Sequence, residues 1–150
     1  MTRLIRAGLA AGAVAAACTA MGQAREMRNP CDLQTLRGTY VFRASGFAVN
    51  GGALVAKAVV NVLEFSGGGF VKTPSLTLNV NGATIRERPG ADGTYTLAED
   101  CTGAITFADA AHVAFDLVAS PRGDRIWLIQ TNPPAVFQGE ANRVARDSDE

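Results

Sequence analysis

The chain has 150 residues, with 14 basic side chains, 14 acidic ones and a single His. That length suits one domain, and a formal charge of zero offers no broad field to attract nucleic acid or an anionic membrane. The three Cys and one His do not have the spacing of a usual zinc ligand set, so no metal site and no cofactor is expected.

Residues 1–24 have the pattern of a secretory signal peptide. Arg3 and Arg6 give a basic start, Ala7–Gly22 is uncharged and mostly Ala, Gly, Leu and Val, and small residues lead to a cleavage point near Ala24. The apolar run is too short and too weakly hydrophobic for a stable membrane span. Cys18, after Ala16-Ala17, is an alternative lipid-attachment site, which would make the protein a lipid-anchored envelope component. Cleavage near Ala24 removes two basic residues and no acid, leaving 12 basic and 14 acidic. It also removes Cys18, so Cys31 and Cys101 are the two thiols left in a secreted or periplasmic, oxidising setting, and they are expected to pair.

Residues 25–38 form an N-terminal segment with one short helical turn. Asp32 is placed to cap it, Leu33 and Leu36 share a face, and Gly38 ends it. From Thr39 the period changes to two, with Tyr40, Phe42 and Ala44 alternating against Val41 and Arg43. Asn50-Gly51-Gly52 is a turn, Ala53–Phe65 a long Val-rich strand, and Gly67-Gly68-Gly69 closes it. Phe70–Val80 follows, with Leu76, Leu78 and Val80 on one face and Pro74 marking a bulge or an edge. Asn81-Gly82 is the strongest hairpin signal in the chain and leads into Ala83–Arg88. Thr94–Ala98, Ala104–Phe107, His112–Ala119, Arg125–Thr131 and Ala135–Ala145 are the remaining predicted strands. Residues 39–145 thus read as an all-β domain, a sandwich or a barrel, and the meander order favours an antiparallel up-and-down β-barrel of about 8 strands because closure removes exposed strand edges. Residues 146–150 are a polar, flexible tail.

Several segments carry a resemblance. Leu36–Phe42, Gly93-Thr94-Tyr95-Thr96 with Asp100-Cys101-Thr102-Gly103, Phe115-Asp116-Leu117-Val118, and Ile129–Pro133 resemble a broad group of exported bacterial proteins of unassigned function. The resemblance covers roughly residues 31–145. It implies a calycin-like barrel similar to allene oxide cyclase, and it carries over no catalytic residue. The Asn132-Pro133-Pro134 turn departs from the Pro-Gly usual in that group.

Little in the sequence points to catalysis. His112 and Asp116, four residues apart on one predicted strand, are roughly 13 Å apart and too far to act as a base and its orienting carboxylate. The five Ser residues include no Gly-x-Ser-x-Gly elbow, and Gly67–Gly69 lacks the Lys and Ser/Thr of a phosphate loop. In Ala53–Phe65 the more apolar row, Leu54 through Val62, is expected to face inward. Glu64 then ends that row at a barrel mouth, and the row with Lys57 and Asn61 faces water. Tyr40, Phe42, Glu64, Leu78, Tyr95, Phe107, Phe115 and Phe137 are the candidate pocket residues.

An eight-stranded barrel is either filled by its own side chains or holds one small ligand. The expected function is non-catalytic, the binding of a small apolar molecule or of a protein partner. The alternatives are a cyclase or isomerase acting inside the barrel, and an envelope lipoprotein with an interaction role. Nucleic acid is not an expected partner, and the oligomeric state is left open.

Overall fold

A computed structural model describes residues 30–109, 112–132 and 135–146. The expected signal peptide, Cys18, Pro133-Pro134 and nearly all of the polar tail lie outside the described residues. Among the described residues a single 3-10 turn, Leu33–Leu36, precedes nine strands. These are β1 (Gly38–Asn50), β2 (Ala53–Phe65), β3 (Phe70–Val80), β4 (Ala83–Glu87), β5 (Gly93–Leu97), β6 (Thr102–Phe107), β7 (Ala114–Ala119), β8 (Arg125–Gln130) and β9 (Ala135–Ala145).

All pairings are antiparallel. The sheet runs β2-β1-β9-β8-β7-β6-β5-β3-β4, and an additional β2–β3 pairing closes it. Eight strands form the barrel, and β4 is an extra strand hung on β3. The expected all-β barrel is therefore the fold, with strand ends within a few residues of those read from the alternation. His112 is the clearest exception, because it lies before β7 with a positive φ of 47° and no strand continues through it.

β3 serves two neighbours along one edge. Its first residues, Phe70 and Val71, pair with β5, and Leu76–Val80 pair with β4. Pro74, which has no N–H to offer, lies between these halves. Opposite it the β2–β3 register slips, so that Leu63 alone faces Thr73 and Pro74. This is the bulge that the proline signalled. The extra residue shifts the alternation by one, which lets both Val71 and Thr73 below it and Leu76 and Leu78 above it point inward.

The 3-10 turn closes one end of the barrel. Asp32 caps it, accepting from the Thr35 N–H while the Thr35 hydroxyl accepts from the Asp32 N–H. The chain enters β1 at Gly38. Leu36 is fully buried beneath the turn. The Tyr95 hydroxyl donates to the Leu33 carbonyl at 2.8 Å, and Gln34 Nε2 donates to the Gly67 carbonyl at 3.0 Å. Arg143, from β9, donates to the Thr35 and Arg122 carbonyls and, through Nε, to the Tyr40 hydroxyl at 2.9 Å. Tyr40 in turn donates to the Gly123 carbonyl. Burial pushes the Tyr40 hydroxyl pKa up, and Arg143 beside it offsets part of that shift. Cys31 and Cys101 fasten this plug, with sulfurs at bonding distance and Cα atoms 5.1 Å apart. The Cys31 N–H also donates to the Glu99 carbonyl at 3.1 Å.

The bridge spans a sequence separation of 70. Replacing both Cys31 and Cys101 by Ser should lower the unfolding free energy by roughly 4 kcal/mol on the chain-entropy argument. Urea denaturation of the oxidised protein and the double variant measures the difference. In the unreduced protein, alkylation should label neither sulfur.

Candidate functional site: an apolar cavity at the open end

In an antiparallel pair, residues directly opposite share a face of the sheet. The two-residue turn at Gly51-Gly52 sets Asn50 opposite Ala53, and from there Ala44 opposite Val59, Phe42 opposite Asn61 and Tyr40 opposite Leu63. Tyr40 and Phe42 are buried inside the barrel. Val59, Asn61 and Leu63 therefore point inward with them, and Lys57 follows one step nearer the open end. This reverses the expectation for β2. The row with Lys57 and Asn61 is the inner one, and Leu54, Val60 and Glu64 are exposed on the outside. Hydropathy misassigned the rows because both are rich in Ala and Val. The turn length was the informative signal, since a two-residue hairpin fixes register whatever the side chains.

The inward residues leave a cavity of about 180 Å³ towards the open end. Phe42, Leu78, Phe107, Phe115 and Phe137, all expected pocket residues, line it together with Val59, Leu76, Ala91 and Val113. Phe115 organises the aromatic part. It meets Phe42 and Phe107 edge to face, with centroids 5.7 and 6.3 Å apart, and tilts against Phe137 at 6.4 Å. Such pairs hold ring positions by about 0.5–1.5 kcal/mol each beyond simple burial.

Three expected pocket residues lie elsewhere. Tyr40 and Tyr95 are inside the barrel but belong to the closed end, where both meet Phe65 edge to face, with centroids 5.1 and 5.0 Å apart, and bond to backbone carbonyls. Their rings fill that half, and their hydroxyls satisfy the plug. Glu64 is outside for the register reason just given. His112 and Asp116 are both exposed, and Asp116 borders a shallow hollow on the outer sheet face beside Arg43, Trp127 and Glu140. Trp127, whose side of the sheet the alternation left undecided, is on that outer face.

Polar groups occupy two levels of the cavity. At the mouth, Lys57 Nζ donates to Gln130 Oε1 at 3.1 Å and sits 4.3 Å from the centre of the Phe137 ring. Gln130 passes the connection on, donating from Nε2 to Asn132 Oδ1 at 3.0 Å. Glu87 and Asp109 also border the cavity. Burial pulls the Lys57 ammonium below its usual pKa, and the nearby Asp109 carboxylate counters part of that. Asp109 is itself held in place by the Val113 N–H, which donates to its carboxylate at 2.9 Å.

Asn61 and Thr73 lie deeper, at the end of the cavity nearest the plug. They are 4 % and 2 % exposed, the two buried polar residues among those described. The Thr73 backbone is well bonded, its N–H donating to Asp92 Oδ1 at 3.1 Å and its carbonyl accepting from the Gly90 N–H at 2.9 Å. Its side chain is not. Thr73 Oγ1 and Asn61 Oδ1 are buried with no hydrogen-bond partner among the described residues. Each such orphan costs about 1–3 kcal/mol relative to a satisfied group. Sequence reasoning missed both residues, Asn61 through the register and Thr73 because it sits in the bulge.

Among the described residues no three His, Cys, Asp or Glu side chains come together in a way that could hold a metal ion. No helix among them is long and apolar enough to cross a membrane. No family model, curated protein or solved structure matches the chain.

The depressed Lys57 pKa carries a definite sign. Between its folded value and the ordinary 10.5, the unfolded chain holds a proton that the folded chain has released. Stability therefore rises with pH through that window as the cost of the buried charge disappears. Wild type should gain stability relative to Lys57→Met as pH increases towards 10.5, and paired thermal denaturation curves across that range measure the gain.

Proposed function

We propose that the protein is an exported, calycin-like binding barrel that holds one small, largely apolar molecule in its open end. The observation that carries this reading is the cavity itself. An aromatic-lined space stays open in a barrel whose other half is tightly filled, and it is bordered by two buried polar atoms that have no partner among the described residues. A cavity of about 180 Å³ is on the scale of the roughly 150 Å³ space that accepts benzene. The occupant is thus a molecule of about one ring or a short branched chain.

Binding accounts for the lining better than catalysis does. The ionisable groups Lys57, Glu87 and Asp109 stand at the mouth, whereas the polar groups at the inner end, Asn61 and Thr73, neither take up nor release a proton near neutral pH. Export is supported by the signal-like residues 1–24 and by the Cys31–Cys101 pair, which suits an oxidising compartment.

Native mass spectrometry of protein purified from its own host tests the reading. The expected result is a retained small molecule on a chain that begins at Arg25 and carries no diacylglycerol. Val59→Trp, which places an indole in the cavity, should abolish retention without unfolding the barrel. Absence of any adduct, together with unchanged NMR signals of Phe107 and Phe115 when benzene is added, would reject a binding cavity. A diacylglycerol on Cys18 would replace free export by membrane anchoring.

A further inference from the structure

The two orphan atoms at the inner end of the cavity specify more than an apolar guest. Asn61 Oδ1 is an acceptor and requires a donor. The Thr73 hydroxyl can donate and accept. Both side chains are more than nine-tenths buried, both border the same cavity, and neither Asn61 Oδ1 nor Thr73 Oγ1 has a partner among the described residues. They project from neighbouring strands, with Thr73 displaced by the β3 bulge to the level just below Asn61.

A ligand group that satisfies both must donate to Asn61 Oδ1 and can either accept from the Thr73 hydroxyl or donate to it. A carboxylate or a ketone only accepts, so it would leave Asn61 Oδ1 unpaired. An ammonium only donates, and its charge would be stranded among Phe42, Val59, Leu76 and Phe115. A neutral hydroxyl meets both demands through a single atom. The rings of Phe42, Phe107, Phe115 and Phe137 then surround the rest of the molecule, and their edge-to-face arrangement suits a further aromatic ring.

Building on the binding reading above, we infer that the ligand is a small neutral phenol or ring-bearing alcohol that enters hydroxyl first, donating to Asn61 Oδ1 and accepting from the Thr73 hydroxyl. The mouth residues Lys57 and Gln130 then face the opposite end of the ligand. Recognition comes from leaving both buried groups unpaired in every competitor that lacks the hydroxyl.

The test compares p-cresol with toluene, which differ by that one hydroxyl, in calorimetric titrations of the exported protein after bound small molecules have been dialysed away. Toluene is the more hydrophobic, so a cavity that recognises only apolar surface binds it at least as tightly as p-cresol. The expected result is the reverse, with p-cresol binding at least about tenfold more tightly. In Asn61→Leu/Thr73→Val, which keeps side-chain volume and removes both polar atoms, toluene should become the tighter ligand. The melting temperature of that variant should match or exceed that of wild type, which shows that it folds. If toluene binds wild type as tightly as p-cresol, the hydroxyl assignment is overturned, the orphan atoms belong to an ordered water, and the binding cavity survives. A p-cresol preference that persists in the double variant also overturns the assignment, because the hydroxyl is then read elsewhere. If neither compound binds, both the assignment and the binding cavity fail.

Discussion

Phe42 lies opposite Asn61 across the first hairpin, and the chemistry of the barrel interior depends on that pairing. The two-residue turn at Gly51-Gly52 sets it. A slip of one residue would turn Lys57, Val59, Asn61 and Leu63 outward and replace them with Ala56, Ala58, Val60 and Val62. The interior would then be lined by small aliphatic side chains along β2, and the mouth would lose its ammonium. Thr73 depends on a second local device, the bulge beside Pro74, which restores the inward face of β3 after an extra residue. One turn and one bulge together bring both orphan polar atoms to adjacent levels of the interior.

The barrel is asymmetric along its axis because one end is plugged and the other is open. At one end the N-terminal turn is pressed into the opening, with Leu36 buried beneath it and Arg143 tying β9 to the turn and to Tyr40. The Cys31–Cys101 pair holds that segment where its own short 3-10 turn would not. The edge-to-face cluster of Tyr40, Phe65 and Tyr95 fills the space immediately below. Among the described residues nothing comparable occupies the other half. There the Phe115 cluster supports the wall and leaves room inside it. A rigid closed end and a roomy open end are what a barrel needs in order to hold one small guest in a defined orientation.

The apolar row that seemed to belong inside is part of a notably apolar exterior. Leu54, Val60, Val118, Trp127 and Ile129 are all exposed. The usual rule that the more apolar row faces the core fails here because β2 is rich in Ala and Val on both faces. The inner row gives up apolar surface to Lys57 and Asn61. That exchange lowers stability, and it puts hydrogen-bonding groups where a fully apolar barrel would have none.

Local chemistry by itself determined much of this protein. Alternation and Gly-bearing turns marked the strands, Asp32 marked the capped turn, and Pro74 marked the bulge. The number of strands and their short connections then favoured a closed meander over a sandwich, and the β2–β3 pairing decided it. The aromatic cavity residues Phe42, Phe107, Phe115 and Phe137 were legible for the same reason, since each is the bulky member of an alternating run. Tertiary structure alone decided how those aromatics divide between a filled end and an open one, because that division depends on where the N-terminal plug inserts. It also decided that Asn61 and Thr73 meet at the inner end of the cavity. Hydropathy reports how apolar a face is, whereas position inside a closed sheet is set by hydrogen-bond register and by strands far apart in sequence.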